Sequence, residues 1–161
     1  MSSGIALLVI DIQNKLATAP QTRIPRCEEI RAAVSAILAP LRAPTSRKCN
    51  NCGWLVSKTV RNAFESNTAL PRRLRAAGVD HIIAFGIQSE CCVVETCKGA
   101  IAAGFGVTLL SGAHSMYDGR GKLVIEIEHE VEAELRDLGA QVIGWRGWLA
   151  SLNKSELKAE I

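Results

Sequence analysis

Short apolar runs alternate along the chain with longer segments in which apolar residues recur at helical spacing. Continuous runs at residues 5–10 and 81–86 predict strands that are covered on both faces, as in parallel sheets. Further strands are predicted at residues 107–110 and 140–143, and a short one at residues 55–58. Strands that alternate with helices in this way predict an α/β fold with a parallel sheet and helices on both faces.

Four helices are predicted between these strands, at residues 27–42, 70–77, 92–103 and 124–138. Pro40 should kink or end the first of them. The polar segment 66–68 offers a side-chain cap for the second, and Gly78, Gly104 and Gly139 mark the ends of the last three. The elements together predict a three-layer α/β/α, Rossmann-like fold.

Length and composition agree with one folded domain, which we assign to residues 1–145, followed by a C-terminal tail at residues 146–161. Of the 161 residues, 48% are hydrophobic and 22% are charged, a balance that argues against disorder. The tail carries charges with apolar residues between them. It is interpreted either as a docking helix or as a frayed end.

Charge, hydropathy and cysteine usage exclude several classes of function. The net charge of +3 is weak and scattered, so no nucleic-acid partner is expected. No apolar stretch is long enough to cross a membrane, and the N-terminal segment lacks the basic flank of a signal peptide. Six cysteines without a secretory signal indicate free thiols, so we expect a cytoplasmic protein.

Three residues that are able to do chemistry stand at the carboxyl ends of predicted strands, where open parallel sheets place their sites. They are Asp11, Lys58 and, after a glycine-led turn, Cys92. A thiol at a helix N-terminus beside a lysine favours the thiolate. A nearby carboxylate is able to accept the thiol proton and return it to a leaving amine.

The segments around these three residues resemble, in the same order, three motifs of the isochorismatase-like cysteine hydrolase superfamily. The motifs are residues 8–14 (LVIDIQN), 58–64 (KTVRNAF) and 86–96 (GIQSECCVVET), and the resemblance extends over about residues 5–143. It implies that Cys92 is the nucleophile and Asp11 the general base and later the acid. Lys58 would orient Asp11 and support the thiolate.

The resemblance also implies a non-proline cis peptide at Ile87-Gln88 and an oxyanion site made by the backbone N–H groups of Gln88 and Cys92. Gln13, Phe64 and Ser89, the last in place of the usual threonine, are expected to contact the substrate. Cys91 is the rival nucleophile. Neighbouring positions of a helix point about 100° apart, so only one of the two thiols faces the strand ends, and the motif spacing selects Cys92.

The chain departs from the family between the first helix and the lysine motif. Residues 43–55 are too few for the strand and the long loop that the family has there, so we expect a sheet one strand short of the usual six. Either the strand at residues 55–58 takes the vacant place beside the first strand, or that edge stays open. An open edge and the apolar tail also favour a homo-oligomer.

The missing segment would hold the metal ligands of the nicotinamidase branch. His81, His114 and His129 do not form such a pattern, so neither a metal nor another cofactor is expected. The true isochorismatases lack the cysteine. The resemblance therefore implies hydrolysis of a small-molecule amide or carbamoyl C–N bond through a thioester intermediate.

Two other functions stay open. A truncated, non-catalytic member would act as an oligomeric or partner-binding module. Cys49 and Cys52 have metal or redox spacing, but a zinc site would need a second pair, so two loop thiols are the favoured interpretation.

Other polar residues receive simpler interpretations. His81 is interpreted as structural. His114 follows a strand end, and lining the pocket is the less favoured of its two interpretations. Glutamates alternate along residues 126–134 and are interpreted as a solvated face, and Ser111 stands where the family commonly has aspartate.

Overall fold

A parallel sheet of five strands forms the centre of the fold. The computed structural model describes residues 4–42, 53–152 and 159–160. The strands are β1 (Gly4–Ile10), β2 (Val79–Ile87), β3 (Gly106–Ser115), β4 (Gln141–Gly144) and the two-residue β5 (Ala159–Glu160), in the spatial order β4-β3-β2-β1-β5. All neighbouring strands are parallel. The described part of the chain thus has fewer strands than the six usual for the family, as predicted.

Seven α-helices of the described residues connect and cover the strands. They are α1 (Asn14–Ala17), α2 (Cys27–Leu38), α3 (Ala63–Ser66), α4 (Leu70–Ala76), α5 (Val94–Ala102), α6 (Val124–Asp137) and α7 (Trp145–Ser151). A 3₁₀ turn, Ala39–Arg42, follows α2, and a π turn, Ser89–Val93, precedes α5. Within the described ranges, no helix is long and apolar enough to cross a membrane.

The two faces of the sheet bury alternate residues of the same strands. Ala6 and Leu8 of β1 pack on the first face with residues of α3 to α6, whereas Leu7 packs on the second face with residues of α1, α2 and α7. β2 follows the same alternation, with Ile82 on the first face and Ile83 on the second. Both faces are covered, which explains the continuous apolar runs and confirms the three-layer α/β/α arrangement.

Two predicted helix boundaries have different outcomes. α2 ends at Leu38 and gives way to the 3₁₀ turn that contains Pro40, as expected of proline. The predicted cap of α4 is wrong, because α4 follows Ala69 and receives no side-chain cap. Ser66 and Asn67 instead bond to the segment that carries Lys58.

The predicted strand at residues 55–58 is also wrong. These residues lie outside the sheet, and Leu55 is 97% exposed. The edge of β1 is occupied instead by β5, through the pairs Ala6–Ala159 and Leu7–Glu160. Residues 43–52, with Cys49 and Cys52, lie outside the described residues.

The beginning of the predicted tail is a docked helix. Trp148 of α7 is buried in the second-face core, and α7 packs against α2 and β3. The docking interpretation therefore holds for residues 145–151.

Candidate active site

Asp11 and Lys58 form an ion pair at the carboxyl end of β1. Lys58 Nζ donates to Asp11 Oδ2 at 2.5 Å, and each side chain is 16% exposed. Asp11 has φ +47°, a left-handed conformation that is uncommon outside glycine and that tends to occur at functional sites. The backbone thus turns sharply where β1 ends and presents the carboxylate to the lysine.

Side-chain hydrogen bonds from α3 hold the Lys58 segment without a strand. Asn67 Nδ2 donates to the carbonyl of Ser57 at 2.8 Å. Ser66 Oγ accepts from the backbone N–H groups of residues 59–60, at 3.1 Å each. These bonds satisfy backbone groups that a sheet would otherwise pair, and they fix Lys58 between two anchored neighbours.

α5 in turn fixes the start of α3. Thr96 Oγ1, which is fully buried, accepts from the N–H of Ala63 at 3.2 Å and donates to the carbonyl of Arg61 at 3.3 Å. Asn62 caps α3, and a Cβ on Gly99 of α5 would lie 2.3 Å from its Oδ1. The cysteine motif therefore supports the lysine motif by direct contact.

Cys92 lies in the π turn between β2 and α5. The N–H groups of Cys91 and Val93 donate to the carbonyl of Gln88 at 3.1 Å each, which closes the turn around Cys92. The peptide bond Ile87-Gln88 is cis, as the resemblance implied.

A glycine allows the close approach of the strands that carry Asp11 and this turn. Gly86 pairs with Ile10 in the sheet and has φ +141°. A Cβ on Gly86 would lie 2.0 Å from the carbonyl oxygen of Ile10. Only glycine fits at this position, so the ends of β1 and β2 come together beside Asp11.

The Cys92 thiol interacts with both members of the ion pair. Burial and the Asp11 carboxylate raise the pKa of Cys92, and the opposing effect of Lys58 is smaller. Burial lowers the pKa of Lys58, but its hydrogen bonds to Asp11 and Cys92 raise it by more. Desolvation and the neighbouring carboxylate thus act against the thiolate that the helix N-terminus and the lysine were expected to favour.

A cavity of about 540 Å³ opens beside the ion pair. Asp11, Gln13 and Lys58 line it, together with Trp54 and Val56. Polar side chains and apolar residues share its lining, a combination that suits a small polar molecule.

Two residues expected to contact the substrate lie elsewhere. Phe64 is buried in the first-face core, with its ring centroid 6.0 Å from that of Phe105. Ser89 is fully buried and bonds to His114. Neither lines the cavity described above, so their contact with a substrate stays a prediction.

His114 and two glutamates of α6 form buried polar contacts that the sequence did not indicate. His114 is fully buried, with Nδ1 2.8 Å from Ser89 Oγ and Nε2 facing Glu132 Oε1 at 3.4 Å. Glu132 and Glu128 are buried, and Glu128 pairs with Arg26. The solvated-face interpretation is wrong for these two glutamates, because positions four apart share one face of a helix.

His81 keeps the structural role that was expected of it. Its Nε2 lies 2.8 Å from Thr108 Oγ1 on the neighbouring strand.

Comparison with known proteins places the site in a family. The family model of the isochorismatase domain matches residues 43–124, which is 82 of the 161 residues. The chain belongs to the isochorismatase family. The matched region contains Lys58 and Cys92, whereas Asp11 precedes it.

One curated relative of this isochorismatase-family chain is streptothricin hydrolase from Streptomyces noursei. It is 28% identical over an alignment that covers 70% of this chain and 50% of that protein. The chain thus spans about half the length of the curated relative it matches.

Solved structures share the fold at low sequence identity. An isochorismatase-like hydrolase from Alkaliphilus metalliredigens aligns with a TM-score of 0.73 and 19% identity, covering 92% of this chain and 96% of its own. A cysteine hydrolase from Pseudomonas syringae pv. phaseolicola 1448A aligns with a TM-score of 0.72 and 15% identity, covering 92% and 90%.

Proposed function

We propose that this isochorismatase-family chain hydrolyses a small amide or carbamoyl C–N bond, with Cys92 as nucleophile. The observation that carries the proposal is the 2.5 Å contact of Lys58 with Asp11, next to a thiol with which both interact. A nucleophile, a proton acceptor and a cation thus lie together, and the acceptor and the cation line a cavity. The name of the curated relative, a hydrolase, supports the same class of reaction.

The first half of the proposed reaction acylates Cys92. The thiol is protonated at rest because its pKa is raised. As the sulfur bonds to the substrate carbonyl carbon, the thiol proton passes to the Asp11 carboxylate. The carbonyl oxygen becomes an oxyanion, which the backbone N–H groups of Gln88 and Cys92 are proposed to stabilise. The C–N bond then breaks, Asp11 returns the proton to the leaving nitrogen, and a thioester remains on Cys92.

The second half releases the acid product. Water attacks the thioester carbonyl carbon and gives a proton to Asp11. The C–S bond breaks, and the sulfur of Cys92 takes that proton from Asp11. Asp11 ends ionised and Cys92 ends as a thiol, so one water and one substrate are consumed in each cycle.

Lys58 is proposed to hold Asp11 in place. Its raised pKa keeps it cationic at neutral pH, and its ammonium donates to Asp11 Oδ2. Gln13 lines the same cavity as the ion pair and is proposed to contact the substrate.

A panel of small primary amides and carbamoyl compounds tests the proposal. The expected result is release of ammonia, with an acyl adduct on Cys92 detected by intact mass after rapid quenching. Cys92→Ala should lose both signals, whereas the matched variant Cys91→Ala should retain them.

A wild-type protein that releases no ammonia from any compound and forms no adduct would favour the alternative, a non-catalytic module. That alternative rests on the shortened segment before Lys58 and on the apolar tail. A Lys58 out of reach of Asp11 would have favoured it, so the ion pair argues against it. Equal activity of Cys92→Ala and wild type would also refute the proposal.

A further inference from the structure

We infer that His114 is a positioning residue. Together with Ser89 and Glu132, it anchors the turn that carries Cys92 and directly follows Gln88. The N–H groups of Gln88 and Cys92 are the proposed oxyanion donors. The inference rests on the proposed function for its catalytic consequence. These three residues come from three elements: His114 belongs to β3, Glu132 to α6 and Ser89 to the π turn.

Ser89 is the member of the anchor nearest to the chemistry. It directly follows Gln88 and is the first residue of the π turn. Its side chain is fully buried, and its Oγ lies 2.8 Å from His114 Nδ1. A buried hydroxyl requires a partner, so the histidine fixes the Ser89 side chain and, through it, the start of the turn.

Glu132 faces the ring nitrogen of His114 that does not bond to Ser89. Burial raises the pKa of Glu132, but contacts with His114, Ser111 and Arg136 lower it by more, to about 2. The ionised carboxylate accepts only, and it faces His114 Nε2 at 3.4 Å. With a proton on Nε2 directed at this carboxylate, Nδ1 is left to accept from the Ser89 hydroxyl.

An irregularity in β3 brings His114 to this place. The register runs from the pair Ala84–Leu109 directly to Gly86–His114, so β3 advances five residues while β2 advances two. Gly112, within the irregularity, has φ +75°. His114 consequently pairs with Gly86, the residue at which the cysteine motif begins.

Variants of His114 separate its two contacts. Asn places a polar atom where Nδ1 was and keeps a partner for Ser89, whereas Gln reaches toward Glu132 and loses the Ser89 contact. We expect His114→Gln, His114→Leu and Ser89→Ala to lower the rate of Cys92 acylation by about tenfold to a hundredfold, with little change in KM. His114→Asn should stay within a few fold of the wild type.

Hydrogen exchange gives a readout that needs no substrate. Backbone N–H groups of residues 88–93 should exchange faster in His114→Leu and Ser89→Ala than in wild type, and at the wild-type rate in His114→Asn. His81→Leu is the matched control, since His81 bonds to Thr108 on the same sheet. It should leave exchange at residues 88–93 unchanged.

The two readouts distinguish the possible failures. Unchanged exchange at residues 88–93 in His114→Leu, or equal acceleration in His81→Leu, would overturn the anchor. An anchor seen by exchange in a protein that hydrolyses no amide would support the positioning of the turn and refute the proposed function instead.

Discussion

Lys58 Nζ lies 2.5 Å from Asp11 Oδ2, although the segment that carries Lys58 lies outside the sheet. In the proposed reaction this contact orients the general base. It depends on the side chains of Ser66 and Asn67, which hold the backbone on both sides of Lys58. A short α-helix and two polar side chains thus do what a sheet strand was expected to do.

The double variant Ser66→Ala/Asn67→Ala should loosen this contact. Each lost hydrogen bond costs about 1 kcal/mol, so the free energy of unfolding should fall by about 1–3 kcal/mol. The Cys92 acylation rate should fall more than stability alone explains, because Lys58 no longer holds Asp11. Denaturant unfolding and acylation rates, with exposed Thr68→Ala as control, check this. Unaltered acylation in a destabilised double variant would contradict it.

The pKa of Cys92 should respond in opposite directions to its two charged neighbours. Asp11→Asn removes a group that raises this pKa, so the midpoint should move to lower pH. Lys58→Met removes a group that lowers it, so the midpoint should move to higher pH. Iodoacetamide alkylation against pH, in a Cys91→Ala background, measures both midpoints. Identical alkylation midpoints in the Cys91→Ala background, with and without Asp11→Asn or Lys58→Met, would show that Cys92 does not interact with these two residues.

Glu132 should make stability sensitive to acid. Its folded-state pKa of about 2 lies below the usual 4.5, so its stabilising contribution is complete above about pH 4.5 and is lost as pH falls toward 2. Glu132→Gln should be less stable at neutral pH by at most about 3 kcal/mol and should lose less on acidification.

Thermal unfolding between pH 7 and pH 2 measures this difference. Glu130→Gln, on the exposed side of the same helix, should follow the wild type. A parallel pH dependence of Glu132→Gln and wild type would show that Glu132 has no depressed pKa.

Gly86→Ala should disrupt the approach of β1 and β2 at the site. The new Cβ would lie 2.0 Å from the carbonyl oxygen of Ile10, and φ is positive there. We expect a loss of about 3 kcal/mol or more in the free energy of unfolding. Gly147→Ala, in α7 with no atom within 4 Å of the new Cβ, should cost nothing or stabilise slightly. Similar stabilities of the two variants would rule out this role of Gly86.

Apolar patterning along the chain predicts four of the five strands described in the sheet and misses the two-residue β5. β1 and β2 are buried on both faces, so each appears in the sequence as a continuous apolar run. The motifs also predicted Asp11, Lys58 and Cys92 as site residues, because residues that follow parallel strands meet at one edge of the sheet.

Packing between elements sets which polar groups pair when they are far apart in the sequence. The apolar residues 55–56 predicted a strand that does not form, because a run so short has no periodicity to show whether it is buried. Ser66 and Asn67 are equally suited to capping a helix and to holding Lys58, and Glu132 resembles its exposed neighbours until β3 packs on it. The local sequence pattern indicates which face of an element is buried. The partner of a polar side chain, and the resulting pKa, depend on the residues that other elements place next to it.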